Sequence, residues 1–74
     1  MIMSMTSYMI FVDQNNRRYA IKSEDCLTFA TDPDDKKYQG YLVDSKDRVI
    51  KNETVSVFRT DMKAAGCVIT EPTA

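Results

Sequence analysis

A chain of 74 residues holds one small domain and is too short for two. Hydrophobic residues at 43% and charged residues at 28% belong to a folded domain, which excludes a disordered tail. Lys and Arg number 10 against 11 Asp and Glu, so the net charge of -1 lends no support to phosphate neutralisation and is too small for an acidic nucleic-acid mimic.

The chain opens with "MIMSMTSYMIFV", which carries no positive residue ahead of its apolar run. "YMIFV" is too short for an export-signal core or a membrane span, so it reads as a β-strand and the expected compartment is the cytoplasm, with no membrane association. Met3 and Met5 leave open which methionine starts translation.

Next come "VDQNNRRYAIK" from Val12 and its echo "VDSKDRVIK" from Val43. Each reads as a β-hairpin, with Asn, Asp and Ser supplying turn chemistry between short apolar strands. The second is two residues shorter. On this reading the first loop, near Gln14 to Arg17, is the longer, and the even difference preserves side-chain facing. The echo continues through "KSEDCLTFATD" and "KNETVSVFRTD", and "KYQGYLV" resembles "KAAGCVI". Duplication and coincidence both remain open, because short strands and turns draw on few residue types.

"CLTFA" and "TVSVF" read as third strands, Leu27 sharing a face with Phe29 and Val55 with Val57. In "TDPDDKKYQG", Asp32 suits a helix N-cap, Pro33 the first helical position and Gly40 the stop; Asp61 and Gly66 repeat the form in "TDMKAAG". "CVIT" is the last strand. The expected fold is mainly β: a small barrel-like or strongly curved antiparallel sheet of about six or seven short strands with one or two short helical turns. The alternative is an antiparallel sheet with one open face covered by a partner subunit. The chain is expected to form one domain over 1–74, with repeats over 10–40 and 41–69 and a flexible tail over 71–74.

With no histidine, Ser-His-Asp and Cys-His catalysis and the usual zinc hydrolase site are excluded. The only glycines are Gly40 and Gly66, so there is no nucleotide-binding glycine loop. "DPDD" lacks the EF-hand pattern and reads as capping. Cys26 and Cys67 each sit in an apolar run and read as free, buried thiols. No enzyme, cofactor or metal is expected. Two segments interleave basic and aromatic residues: Arg17, Arg18 and Tyr19, then Lys37, Tyr38 and Tyr41. Such residues serve protein interfaces, and also single-stranded nucleic-acid surfaces, where neighbouring aspartates would repel phosphate. The leading expectation is a small non-catalytic protein-binding module, an inhibitor or adaptor that occupies a partner's surface, with self-association through an exposed strand edge as a further contact. The alternative is a small single-stranded nucleic-acid-binding barrel.

Overall fold

A computed structural model describes residues 4–72. Five strands, β1 (Met5–Val12), β2 (Arg18–Lys22), β3 (Lys37–Val43), β4 (Val49–Phe58) and β5 (Lys63–Pro72), form one antiparallel sheet in the order β4-β3-β2-β1-β5. The first four run as a meander. Short 3-10 turns follow β2 (Ser23–Cys26) and β4 (Arg59–Asp61).

The expected six or seven strands in a barrel-like or strongly curved sheet are therefore corrected. The sheet is open, with β4 and β5 as its two edges and no ladder joining them, and the molecule measures 41 × 25 × 21 Å. The strand count falls for two local reasons. "RVIK" and "TVSVF" are one continuous strand, since Asn52 to Thr54 stay extended. "CLTFA" is not a strand; it begins on the last residue of a 3-10 turn and continues as turns, so Leu27 and Phe29 lose the alternation that would have put them on one face. Leu27 is 86% exposed, while Phe29 packs on the core.

The two hairpin turns are the same. In each, an aspartate main-chain N–H bonds the arginine carbonyl four residues on, and its carboxylate accepts two backbone N–H groups and the arginine Nε (Asp13 with Asn15 and Arg17; Asp44 with Lys46 and Arg48). The fourth residue of each turn takes the left-handed conformation, Asn16 at φ 61° and Asp47 at φ 58°, which Asn and Asp tolerate better than other side chains. The first loop is not the longer one; the two-residue difference falls in the strands after Arg17 and Arg48. Beyond the turns the copies diverge, because the chain leaves the sheet at Ser23 but stays in it through Phe58.

Both glycines are also corrected. Gly40 lies inside β3, where an added Cβ would overlap the carbonyl oxygen of Ala20 and stand 2.5 Å from Ile21 Cδ1. Gly66, at φ 81°, sits where the register of β5 against β1 shifts between Met9 and Phe11. A positive φ inside a bulged strand favours glycine. Nor is the segment from Glu71 a tail: Glu71 and Pro72 pair with Thr6 and Met5, while Thr73 and Ala74 lie outside the described residues.

β1 is an interior strand, between β2 and the edge strand β5, and is buried on both faces over Tyr8 to Phe11, which explains its unbroken apolar run. On one face Phe11, Tyr19, Ile21, Tyr38, Val55 and Val57 form the main core, closed by Cys26, Phe29 and Met62 from the connections. On the other, Tyr8, Ile10 and Ala20 are covered by Tyr41, Val43 and Val49 and by Cys67 and Ile69. The edge strands meet there by side chain to backbone bonds: the Glu71 carboxylate accepts the Val49 N–H at 2.7 Å, and Lys51 Nζ donates to the Pro72 carbonyl at 3.3 Å.

Candidate functional site

The six residues singled out from the sequence do not form one surface. Arg17 stands in the first turn, its Nε 3.0 Å from Asp13 Oδ2. Arg18 grips Asp47 with two bonds of 3.1 Å and touches Cys67 Sγ at 3.6 Å, joining the first hairpin to the second turn and to β5. Its guanidinium is held more firmly protonated, first by the hydrogen bond to Asp47.

Tyr19 is fully buried, because it alternates with Ile21 on the core face and stacks on Phe11 at 6.3 Å. Its hydroxyl is buried without a hydrogen-bond partner. Burial pushes its pKa up to about 12, with the Asp13 carboxylate adding, Arg17 opposing and Asp61 adding. Tyr38 is buried as well; its hydroxyl donates to the Asp32 carboxylate and its ring meets Phe29 edge-on at 5.8 Å. Burial, then that bond to Asp32, raises its pKa to about 12. Neither ring is presented to a partner. Tyr41 is half-buried on the opposite face, edge-on to Tyr8 at 6.3 Å. Lys37 is exposed, with Nζ 5.5 Å from the centre of the Phe58 ring opposite it on β4.

The residue that organises the surface most is one the sequence did not single out, Arg59. From the turn after β4 its Nε donates to the Phe29 carbonyl at 2.8 Å, Nη2 to the Ala30 carbonyl at 3.1 Å and Nη1 to Asp34 Oδ1 at 3.1 Å. Its guanidinium also lies 5.1 Å from the centre of the Phe29 ring. Two backbone bonds, Arg59 N–H to the Lys36 carbonyl and Thr60 N–H to the Asp34 carbonyl, tie the same segments. The connection from Leu27 to Lys36 is thus clamped onto the sheet, with Phe29 turned in and Leu27 turned out. No local pattern signals this, because donor and acceptors stand 25 to 30 residues apart.

Beside the clamped loop runs a groove of about 480 Å³, lined among others by Leu27, Thr28, Lys36, Lys37 and Gln39. A second groove, of about 270 Å³, lies between the first turn and the end of β4, bounded by Asp13, Asn15, Arg17, Phe58 and Asp61. The Lys37–Phe58 pair is common to the two, Lys37 lining one and Phe58 the other.

The aspartates of "DPDD" do not converge: Asp32 accepts from Tyr38 and Lys36, Asp34 from Arg59. Among the described residues no group of three or more Cys, Asp or Glu could hold a metal ion. Both cysteines are free. Burial pushes the Cys26 thiol up to about 11, and it donates to the Lys22 carbonyl at 3.4 Å. No helix among the described residues is long and apolar enough to cross a membrane. Compared with known proteins, the chain matches no family model, no curated protein and no solved structure.

Proposed function

We propose that the protein is a small non-catalytic binding module that occupies the surface of a partner protein, as an inhibitor or adaptor. The observation that carries this reading is Leu27, 86% exposed on a connection held by the Arg59 clamp beside the larger groove. A single exposed leucine on a loose loop would be ordinary. Here the loop is fixed, and its other large apolar residue, Phe29, is already in the core. The ordering entropy of the loop is spent on folding, so docking at this rim costs less. Lys37 stands in the same groove, and an apolar anchor with a charged rim is the usual anatomy of an interface. Away from the ends where Val49 meets Glu71 and Lys51 meets Pro72, the outer edges of β4 and β5 offer backbone pairing to a partner strand or a second copy.

The nucleic-acid alternative draws less support. Arg17, Arg18, Arg48 and Arg59 each sit in an ion pair with an aspartate, and Tyr19 and Tyr38 are not available for base stacking.

The test is affinity capture from the native host's lysate with mass spectrometry, comparing the parent chain with Leu27→Asp. Leu27 carries no core contact, so the variant is expected to keep its circular dichroism spectrum and melting temperature while losing the retained protein. Equal retention by both chains would remove Leu27 from the interface.

A further inference from the structure

Inside the sheet, β3 has an edge that β2 leaves open. The Arg59 N–H bonds the Lys36 carbonyl in the register of the β3–β4 ladder. Backbone groups along an antiparallel strand alternate between its two neighbours, so Tyr38 and Gly40 turn theirs to β4, and Lys37 and Gln39 turn theirs to the β2 side. On that side the ladder stops at Ala20 and Tyr41. β2 ends at Lys22, whose carbonyl takes the Cys26 thiol, and the chain leaves the sheet at Ser23. Among the described residues no backbone bond from the connection takes its place. The Gln39 N–H and both backbone groups of Lys37 are thus left toward the groove of about 480 Å³ that runs between β3 and the connection. Unpaired strand groups beside open space are a template for another strand.

The side chains around this notch have an order. Lys37 forms no ion pair among the described residues, and neither do Glu24 and Asp25 on the opposite wall. Asp25 also lines a neighbouring groove with Lys22 and Gln39, which places it toward the Gln39 end. Leu27 and Thr28 stand on the face that carries the buried Tyr38. We propose that an extended segment of the partner protein enters this groove antiparallel to β3 and takes the place in the sheet that β2 vacates. About three residues, rising ~3.4 Å each, reach both bonding positions. In chain order they are a basic residue opposite Gln39, beside Asp25; an apolar residue opposite Tyr38, against Leu27; and an acidic residue opposite Lys37. The acidic residue exchanges both backbone bonds with Lys37, and the carbonyl of the basic residue accepts the Gln39 N–H. The inference rests on the protein-binding reading and gives the conformation and charge order of what docks at Leu27.

The probe is the acetylated, amidated peptide threonine-lysine-valine-glutamate-threonine, titrated into the full chain and followed by amide chemical shifts. Saturable shifts are expected at Leu27, Lys37 and Gln39. Methylating the glutamate nitrogen, the donor to the Lys37 carbonyl, should abolish binding; methylating the valine nitrogen, which points away from β3, should leave it unchanged. Lys37→Glu, at an exposed position, should weaken binding severalfold, the scale of making one cross-strand pair repulsive. No saturable shifts, equal loss on methylating either nitrogen, or shifts confined to the outer edges of β4 and β5 would overturn the pairing. Lysate capture that depends on Leu27 while the peptide fails would overturn the strand pairing and leave the Leu27 interface standing. Methylation-sensitive peptide binding with equal capture by the parent and Leu27→Asp chains would support the pairing and remove Leu27 from the interface.

Discussion

Replacing Arg59 with alanine tests whether one side chain fixes the connection that carries Leu27. The substitution removes two charge-assisted bonds to backbone carbonyls, one ion pair and one ring contact. The carbonyl bonds contribute about 1 kcal/mol each net in this half-exposed setting, since water replaces part of what is lost. The ring contact adds about 0.5 kcal/mol. The pair with Asp34 adds little, because the Asp34 side chain is 79% exposed. The expected loss is roughly 2–3 kcal/mol, which lowers the melting temperature of so small a domain by roughly 10–20 °C. Urea denaturation measures the total. Hydrogen exchange locates it: the amides of Phe29, Thr31 and Asp32, bonded to the Cys26 and Thr28 carbonyls, should lose protection while those of β1 and β2 change only with global stability. Arg59→Lys keeps the charge but not the fork, and should recover less than half of the loss. High salt should hardly affect the parent, since the main acceptors are carbonyls. An Arg59→Ala chain within about 0.5 kcal/mol of the parent, the scatter of ordinary surface changes, with an unchanged exchange pattern would refute the clamp.

The two turns predict a pH dependence. The backbone N–H bonds and the neighbouring arginines hold the Asp13 and Asp44 carboxyls below their ordinary 3.8, so the stability they contribute is full above that value and fades as pH falls through their lower folded values. Thermal melts across the acid range should show the parent losing stability below about pH 4, and the Asp13→Asn, Asp44→Asn double variant, weaker at neutral pH, losing less there; parallel curves would contradict this. Gly40→Ala forces a methyl group into the Ala20 carbonyl and should cost about 3 kcal/mol or more, read by urea denaturation or as failure to fold; a neutral result would mean that β2 and β3 are not held this close.

The local signals in the sequence were sound wherever the chain stays within one hairpin. "YMIFV" and "YAIK" are strands joined by an aspartate-led turn, and so are "YLV" and "RVIK", because β-propensity and turn chemistry act over a few residues. The misreadings begin where distant contacts decide. Phe29 leaves its expected alternation because the core formed by Phe11 and Tyr38 takes it in, while Arg59, thirty residues on, holds its carbonyl. "KAAG" resembles a helical turn, yet β1 offers it a ladder and Gly66 accommodates the bulge this requires. Tyr19 and Tyr38 look like contact residues by type; the period-two spacing of Tyr19 with Ile21 was the readable sign of core membership, and for Tyr38 the equivalent neighbour is Gly40, which shows no apolar partner at all. The basic residues are held within the fold for a related reason. Arg17 and Arg48 bond their own turns and Arg18 forms a long-range bridge, whereas Lys37 forms no ion pair among the described residues and lies over the Phe58 ring. The turn motif that made the two hairpins look functional is what withdraws their arginines from function. The candidate contact moves instead to the place where the chain leaves the regularity of the sheet after β2, at Leu27.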